Sequence, residues 1–422
     1  MNFTNKLKLI FQDKNLRTRI FYLLGFLVVF RVLAAIPVPG VDAQKLTEFF
    51  SNNQFFGLLN VFSGGGLSTL SIIMLGVGPY ITASIIMQLM TMMSERLKAL
   101  YHEEGEAGRR KISQYSRILT IPLGILQGFA FLNLLQNQGV LGELSNFQMI
   151  ANIAVIVAGS MLLVWMGELM SEYAIGNGVS IIIFAGIVAS LPTVIGQMIY
   201  TFDIAQLPVY IAFLAVGLLI IAGVVIVTEA ERPIPINYSK RVRGGKVYGG
   251  VSTYLPLRVN QAGVIPIIFA LSILLFPQMI FSFLAQTSNE TVKNISDFVL
   301  NILANSWFYA VMYFIFVFLF TYFYTAVTFD PEAIATNLQR NGAFIPGIRP
   351  GTHTSQYIAK VLTRITLVGA SFLGFIAVLP LIMKGLTGIT SLAIGGTALL
   401  IVVSVVLDLI KKVDAQVSIR EY

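Results

Sequence analysis

The chain has 422 residues, of which 56% are hydrophobic and only 11% charged, with a mean hydropathy of +0.80 and a formal charge of +8. Together with repeated apolar runs near bilayer length, that composition excludes a soluble chain and identifies a polytopic membrane protein. There is no cysteine, so disulfides, thiolate metal sites and cysteine nucleophiles are excluded as well.

Ten apolar spans are expected, at residues 20–36, 72–93, 118–135, 150–166, 179–200, 208–228, 262–285, 302–328, 365–383 and 386–407. The first follows a basic flank (Lys6, Lys8, Lys14, Arg17, Arg19) and stops at Pro37 and Pro39; with nine spans behind it, it reads as an uncleaved signal anchor. Placing the amino end in the cytoplasm puts 24 of the 28 Lys and Arg on that side. Only Lys45, Lys293 and Lys384 then lie outside, while Arg31 falls within the first span, where it needs a partner or must reach the interface.

Between the first two spans comes "VFSGGGLSTLSI", residues 61–72. The stretch before it is apolar (Phe55, Phe56, Leu58, Leu59), yet seven of the nine residues from 63 to 71 are Ser, Thr or Gly. A crossing here would send 19 basic residues to the outside, against the positive-inside rule. Each interior Gly also costs a helix roughly 1 kcal/mol relative to Ala. The segment is therefore at most a short helix on a flexible connection: either a re-entrant piece received by a cavity, or an external loop with an amphipathic turn.

Further on, "GVGPYITASII" (76–86) breaks the start of the second span, and "AIGNGVSIIIFAG" (174–186) leads tightly into the fifth. The acidic residues nearest the spans, Glu168, Glu229 and Asp408, sit toward cytoplasmic ends, where an ion-coupled transporter would carry charge well inside. Any pore is thus lined by aliphatic and small side chains, which exclude ions by dewetting; the same residues also serve ordinary helix packing.

Two cytoplasmic loops are long. Residues 228–260 carry Arg232, Lys240, Arg241, Arg243, Lys246 and Arg258 around Gly244-Gly245, a basic hairpin tip, and 329–360 end in a turn-rich tip at Arg349, Pro350 and Gly351. Both are consistent with solvated loops obeying the charge rule, and equally with docking sites for RNA or an acidic protein face. The histidines, His102 and His353, lie in polar loops; no Walker A, HExxH, GxSxG or metal-ligand cluster occurs, and no catalytic site or cofactor is expected.

Several long stretches in order, "VFRVLAAIPVPGVDA", "NVFSGGGLSTLSI", "GPYITASIIMQL", "EGEAGRRKISQYSR", "GNGVSIIIFAGIVASLP", "NQAGVIPIIFA", "GAFIPGIRPGTHTSQYI" and "GGTALLIVV", resemble the SecY family of translocon channel subunits over nearly the whole chain. The resemblance implies an all-α fold of ten transmembrane helices in two pseudo-symmetric inverted five-helix halves, a clamshell around a central hourglass pore with a re-entrant plug helix. The halves would be 1–200 and 208–422, joined by an external hinge at 201–207. It implies a plug over about 55–70, including Phe62, Ser63, Gly64, Gly65, Gly66 and Leu67, with the glycines as hinge. It places an apolar pore ring at Val77, Ile81, Val179, Ile183, Ile268 and Ile401, two of them Val where Ile is usual, and polar lateral-gate positions at Thr82, Gln127 and Asn260. A polar contact across the gate would be worth about 1 kcal/mol in lipid. Arg243, Arg258, Arg349, Pro350 and Gly351 would dock the SecA ATPase or the ribosome and its RNA. Implied partners are SecE, SecG, signal peptides, nascent chains, membrane lipids and the accessory SecDF and YidC; the implied location is a bacterial plasma membrane with both termini cytoplasmic. A small-solute secondary transporter with broken helices is the alternative, disfavoured by the charge-free spans, and an intramembrane enzyme would need paired catalytic groups that the spans lack.

Overall fold

In the computed structural model the described residues are 13–39, 66–67, 69–102, 104–137, 139–142, 144–174, 176–200, 207–238, 241–243, 246–248, 252–285, 287, 289–387 and 391–421. Helix α1 (Lys14–Ala34) begins where the Asp13 side chain accepts from the Asn15 amide, and it ends just before Pro37, which cannot continue a helix. Helix α2 (Gly78–Met93) has Pro79 in its first turn, where the missing N–H costs nothing. Residues 72–77 ahead of it form turns, with Gly76 at φ +57°, so the second helix starts six residues later than the apolar run at 72–93 implies.

Short α3 (Glu95–His102) leads to α4 (Gly105–Asn137), α5 (Asn146–Tyr173), α6 (Gly178–Tyr200) and α7 (Leu207–Glu229). A capping box between Ser145 and Gln148 opens α5. After the β-strands come α8 (Ile265–Leu284), α9 (Glu290–Ala304), α10 (Ser306–Thr328), α11 (Pro331–Arg340), α12 (Thr352–Thr387) and α13 (Ser391–Glu421). Among the described residues, five helical stretches are long and apolar enough to cross a membrane: Gly105–Gln136, Asn146–Tyr173, Ile265–Ser282, Ser306–Arg340 and Thr352–Leu379. The expected eighth span, 302–328, is divided, because Asn305 caps α10 by accepting from the Trp307 and Phe308 amides. Residues 302–304 belong instead to α9, an amphipathic helix that the apolar-run reading passes over.

The two long loops fold together, which corrects the all-α expectation. Strand β1 (Glu231–Tyr238) pairs antiparallel with β4 (Ser252–Arg258) on one side and with β5 (Ala343–Phe344) on the other. A second hairpin pairs β2 (Arg241–Arg243) with β3 (Lys246–Tyr248); Arg243 opposite Lys246 leaves a two-residue connection, the tightest hairpin class. Ile234, Ile236 and Leu257 point inward, and Ile345, Ile358 and Val361 join Ile234 and Leu257 in one buried cluster beneath the sheet. Pro233 and Pro235 fit in a middle strand because β5 reaches only Asn237 and Tyr238, so neither ring removes a ladder bond on that side.

Packing sorts the long helices. Helices α2, α4, α5 and α6 pack in succession, with α1 on α5 and α6. On the other side α8, α10, α12 and α13 pack in succession, with α7 on α13 and α12. The two sets meet along two seams, α8 against α2 and α4, and α13 against α6. Ion pairs bind neighbours within a set: Arg117 with Glu168 joins α4 to α5, and Lys411 with Glu229 (2.7 Å) joins α13 to α7.

Candidate functional site

The apolar residues at the seams form the first part of the site. Val77 precedes α2 and Ile81 lies in its first turn; Val179 and Ile183 stand on α6, Ile268 on α8 and Ile401 on α13. Five of these six belong to a single buried cluster, Val77, Ile183 and Ile401 at 1% exposure and Ile81 and Ile268 at 9% and 8%, while half-buried Val179 packs against it. Close backbone approach sets the position of Val179. A Cβ on Gly178 would lie 1.9 Å from the Gly167 carbonyl oxygen, so only glycine lets α6 start this close to α5. The Ser171 hydroxyl fastens the same junction, donating to the Gly167 carbonyl (2.8 Å) and accepting from the Gly178 amide (2.8 Å).

Gly66, Leu67 and residues 69–72 form the second part. Phe62, Ser63, Gly64 and Gly65 lie outside the described residues, as do residues 201–206 of the expected hinge 201–207, whose last residue, Leu207, begins α7. From Gly66 onward the backbone is clasped to the end of α1. Val38 N–H donates to the Leu70 carbonyl (2.8 Å) and Ile72 N–H to the Ile36 carbonyl (3.0 Å), an antiparallel bridge centred on Pro37 and Ser71. The Thr69 hydroxyl donates to the Ala34 carbonyl at 2.9 Å, with the Gly66 carbonyl at 3.3 Å. Leu67 and Leu70, at 2% and 1% exposure, sit in a satellite cluster with Val38, Phe131, Leu132 and Leu135. Leu70 has φ +41°, a left-handed conformation that a branched side chain adopts only when its surroundings impose it. Of the expected hinge glycines, Gly66 is itself held, its carbonyl accepting from the Ser71 amide (2.7 Å), an arrangement invisible in the polar, glycine-rich spelling of this stretch.

The polar positions at the seam of α2, α4 and α8 are buried: Thr82 and Gln127 at 9% and Asn260 at 5%. The expected bond across the seam is not made. Thr82 donates to the Gly78 carbonyl of its own helix (3.1 Å), the usual recourse of a helical threonine. The Asn260 amide donates to the Gly263 carbonyl (3.2 Å), leaving its Oδ1 buried without a partner. Gln127 lines a cavity of about 250 Å³ between α4 and α8, with Leu126, Phe129, Ala130, Phe276 and Ile280. What closes this seam is apolar contact. No charged residue is among the buried polar side chains of the described residues, which are Ser, Thr, Gln and Asn.

The basic positions are spread over the two folded loops and do not share one sheet. Arg258 faces Glu231 at the membrane-proximal end of the β1–β4 pair, and Arg243 belongs to the separate β2–β3 hairpin. Arg349 and Pro350 are exposed on the turn before α12, between Gly347 at φ +81° and Gly351 at φ +94°. That turn is held from both ends: Ile345 and Ile348 pack into the cluster under the sheet, and the Thr354 hydroxyl donates to the Arg349 carbonyl (2.9 Å).

Comparison with known proteins is consistent along the chain. The family profile described as SecY matches residues 71–410. The protein translocase subunit SecY of Thermus thermophilus is 44% identical, the alignment covering 97% of this chain and 95% of the relative; that of Synechocystis is 42% identical over 97% and 94%. A solved protein-conducting channel superposes with a TM-score of 0.66 at 18% identity, covering 96% of this chain and 93% of the other. The Sec61 of a canine ribosome-channel complex gives 0.64, with the same identity and coverage. A profile match spanning most of the chain, joined to relatives above 40% identity along nearly all of it, shows that the chain belongs to the SecY family.

Proposed function

We propose that this chain is the protein-conducting channel of a bacterial translocase, a passive pore that is plugged at rest and opens sideways to lipid. The observation that carries the reading is the apolar closure where the two helix sets meet: Val77, Ile81, Ile183, Ile268 and Ile401 come from both sets into one buried cluster, with Val179 against it. Such a constriction excludes ions by dewetting, with no charged filter, and it yields to a polypeptide whose own side chains replace the ring's contacts. Relatives above 40% identity are named protein translocase subunits, and one structural neighbour is a SecY whose plug domain stabilises the closed state.

In this reading the ten expected spans are α1, α2, α4, α5, α6, α7, α8, α10, α12 and α13. The two inverted halves are residues 1–200 and 208–422. Residues 55–70 are the plug, hinged at the glycines and anchored from Gly66. The seam of α2 and α4 with α8 is the lateral gate, and residues 201–207 are the external hinge between the halves. The two folded loops, with Arg243, Arg258 and Arg349, face the cytoplasm and dock SecA or the ribosome, which supply the energy; SecE and SecG are the membrane partners, and the membrane is the bacterial plasma membrane. A ribosome-channel complex among the structural neighbours supports the docking side of the reading. An ion-coupled small-solute transporter is disfavoured by the lack of any buried charge among the described residues.

Site-specific photo-crosslinking during arrested translocation tests the reading. A photoreactive side chain at Ile81 or Ile268 should crosslink to a secretory polypeptide stalled in transit, and one at exposed Phe375 should crosslink to lipid instead. Labelling of the polypeptide from Phe375 but not from the ring would remove the ring from the path.

A further inference from the structure

Helix α9, which joins α8 to α10, has three distinct sides. At about 100° per residue, Ser296 turns inward and is buried, Ile295 and Phe298 fall together on one flank, and Lys293 and Asp297 fall on the other. Ile295 and Phe298 are 55% and 66% exposed, more than a helix packed only against its own protein should show at two neighbouring apolar positions. We propose that this flank lies on the phospholipid surface of the bilayer, with Ile295 and Phe298 among the acyl chains and Lys293 and Asp297 in water.

Continuity argues for lipid as the occupant. Helix α9 packs against both α8 and α10, each membrane-long and apolar, so it lies where their lipid-facing sides end. Asn305 is the single residue between α9 and α10; its amide donates to the Ile302 carbonyl (3.2 Å) and its side chain caps α10. A one-residue link cannot carry α9 away from that boundary. Trp307, 60% exposed two residues on, is the residue type that marks a bilayer interface. An apolar flank beside a polar one is the pattern of an interfacial helix. The inference rests on α8 and α10 being membrane spans and needs nothing from the plug or the gate.

Because the chain has no cysteine, a single introduced thiol reports on one position. The full chain would be reconstituted in phosphatidylcholine–phosphatidylglycerol vesicles with an environment-sensitive fluorophore on Ile295→Cys, Phe298→Cys or Asp297→Cys. It would be quenched by lipids brominated near the head of the acyl chain, or by iodide in water. The expected result is blue-shifted emission and quenching by brominated lipid at 295 and 298, with quenching by iodide at 297. Iodide quenching at 295 and 298 would overturn the proposal by standing the flank in water. Shielding from both quenchers would overturn it in favour of a covering protein. Neither readout depends on transport, so failure here leaves the channel reading where it stood.

Discussion

Thr69 makes the clasp specific. Its hydroxyl reaches a carbonyl 35 positions away, at Ala34, and ties the backbone just ahead of Ser71 to the end of α1. Thr69→Val keeps the shape and removes the bond, a loss of about 1 kcal/mol net, or roughly fivefold in the ratio of seated to displaced segment. The expected outcome is more frequent brief openings in single-channel recordings; an unchanged opening frequency would mean the clasp does not restrain the seat. Glycines divide in the same way. A Cβ on Gly159 would fall 2.0 Å from the Ile72 carbonyl oxygen, whereas one on Gly25 would meet nothing within 4 Å. Gly159→Ala should destabilise by on the order of 3 kcal/mol, since backbone must move. Gly25→Ala should stabilise α1 by about 0.5–1 kcal/mol. Thermal unfolding in detergent separates the two, and similar melting points would contradict the packing described for α5.

The sheet between the long loops explains how Arg349, the proposed docking residue, can be both exposed and rigid: Ile345 and Ile348 anchor its turn in the cluster beneath the sheet. Arg349→Ala removes only an exposed side chain, so unfolding should be unchanged while motor-driven import of a precursor into vesicles falls steeply. Ile345→Ala, at 3% exposure, opens a cavity under the sheet and should cost about 2–5 kcal/mol, lowering stability and import together. Loss of stability in Arg349→Ala would recast that residue as structural. These elements were unequally legible in the sequence. The apolar runs located the long helices because bilayer-length hydropathy is a one-dimensional signal, and the break before α2 was visible in Gly76, Gly78 and Pro79. The sheet was not visible: the alternation of Ile234 and Ile236 was masked by Pro233 and Pro235, and its third strand arrives from a loop about a hundred residues later. Helix α9 was hidden because half its apolar side faces outward, so it has neither a continuous run nor a single buried stripe. Thr82 and Asn260 were legible as buried polar positions, but their choice of local carbonyls over each other is settled by three-dimensional reach.

Ion pairs and tight glycine contacts tie helices within a set, whereas the two sets meet along two seams whose apolar residues share one buried cluster, so parting them exposes apolar surface that a polypeptide or lipid has to cover. The low exposure of Val77, Ile183 and Ile401 buries the junction of the two sets, and in the proposed reading residues 55–70 are the plug that seals it. The shortest informative deletion therefore removes residues 60–65 and spares Gly66, whose carbonyl accepts from the Ser71 amide, and Leu67 and Leu70, which belong to the satellite core. Ion conductance of the intact chain and of this deletion, each purified with its small membrane subunits, should be compared in planar bilayers. The expected result is a sealed membrane for the intact chain and large, weakly selective openings for the deletion. Solute-saturable, ion-coupled flux through the intact chain, or a deletion as tightly sealed as its parent, would contradict a plugged polypeptide channel.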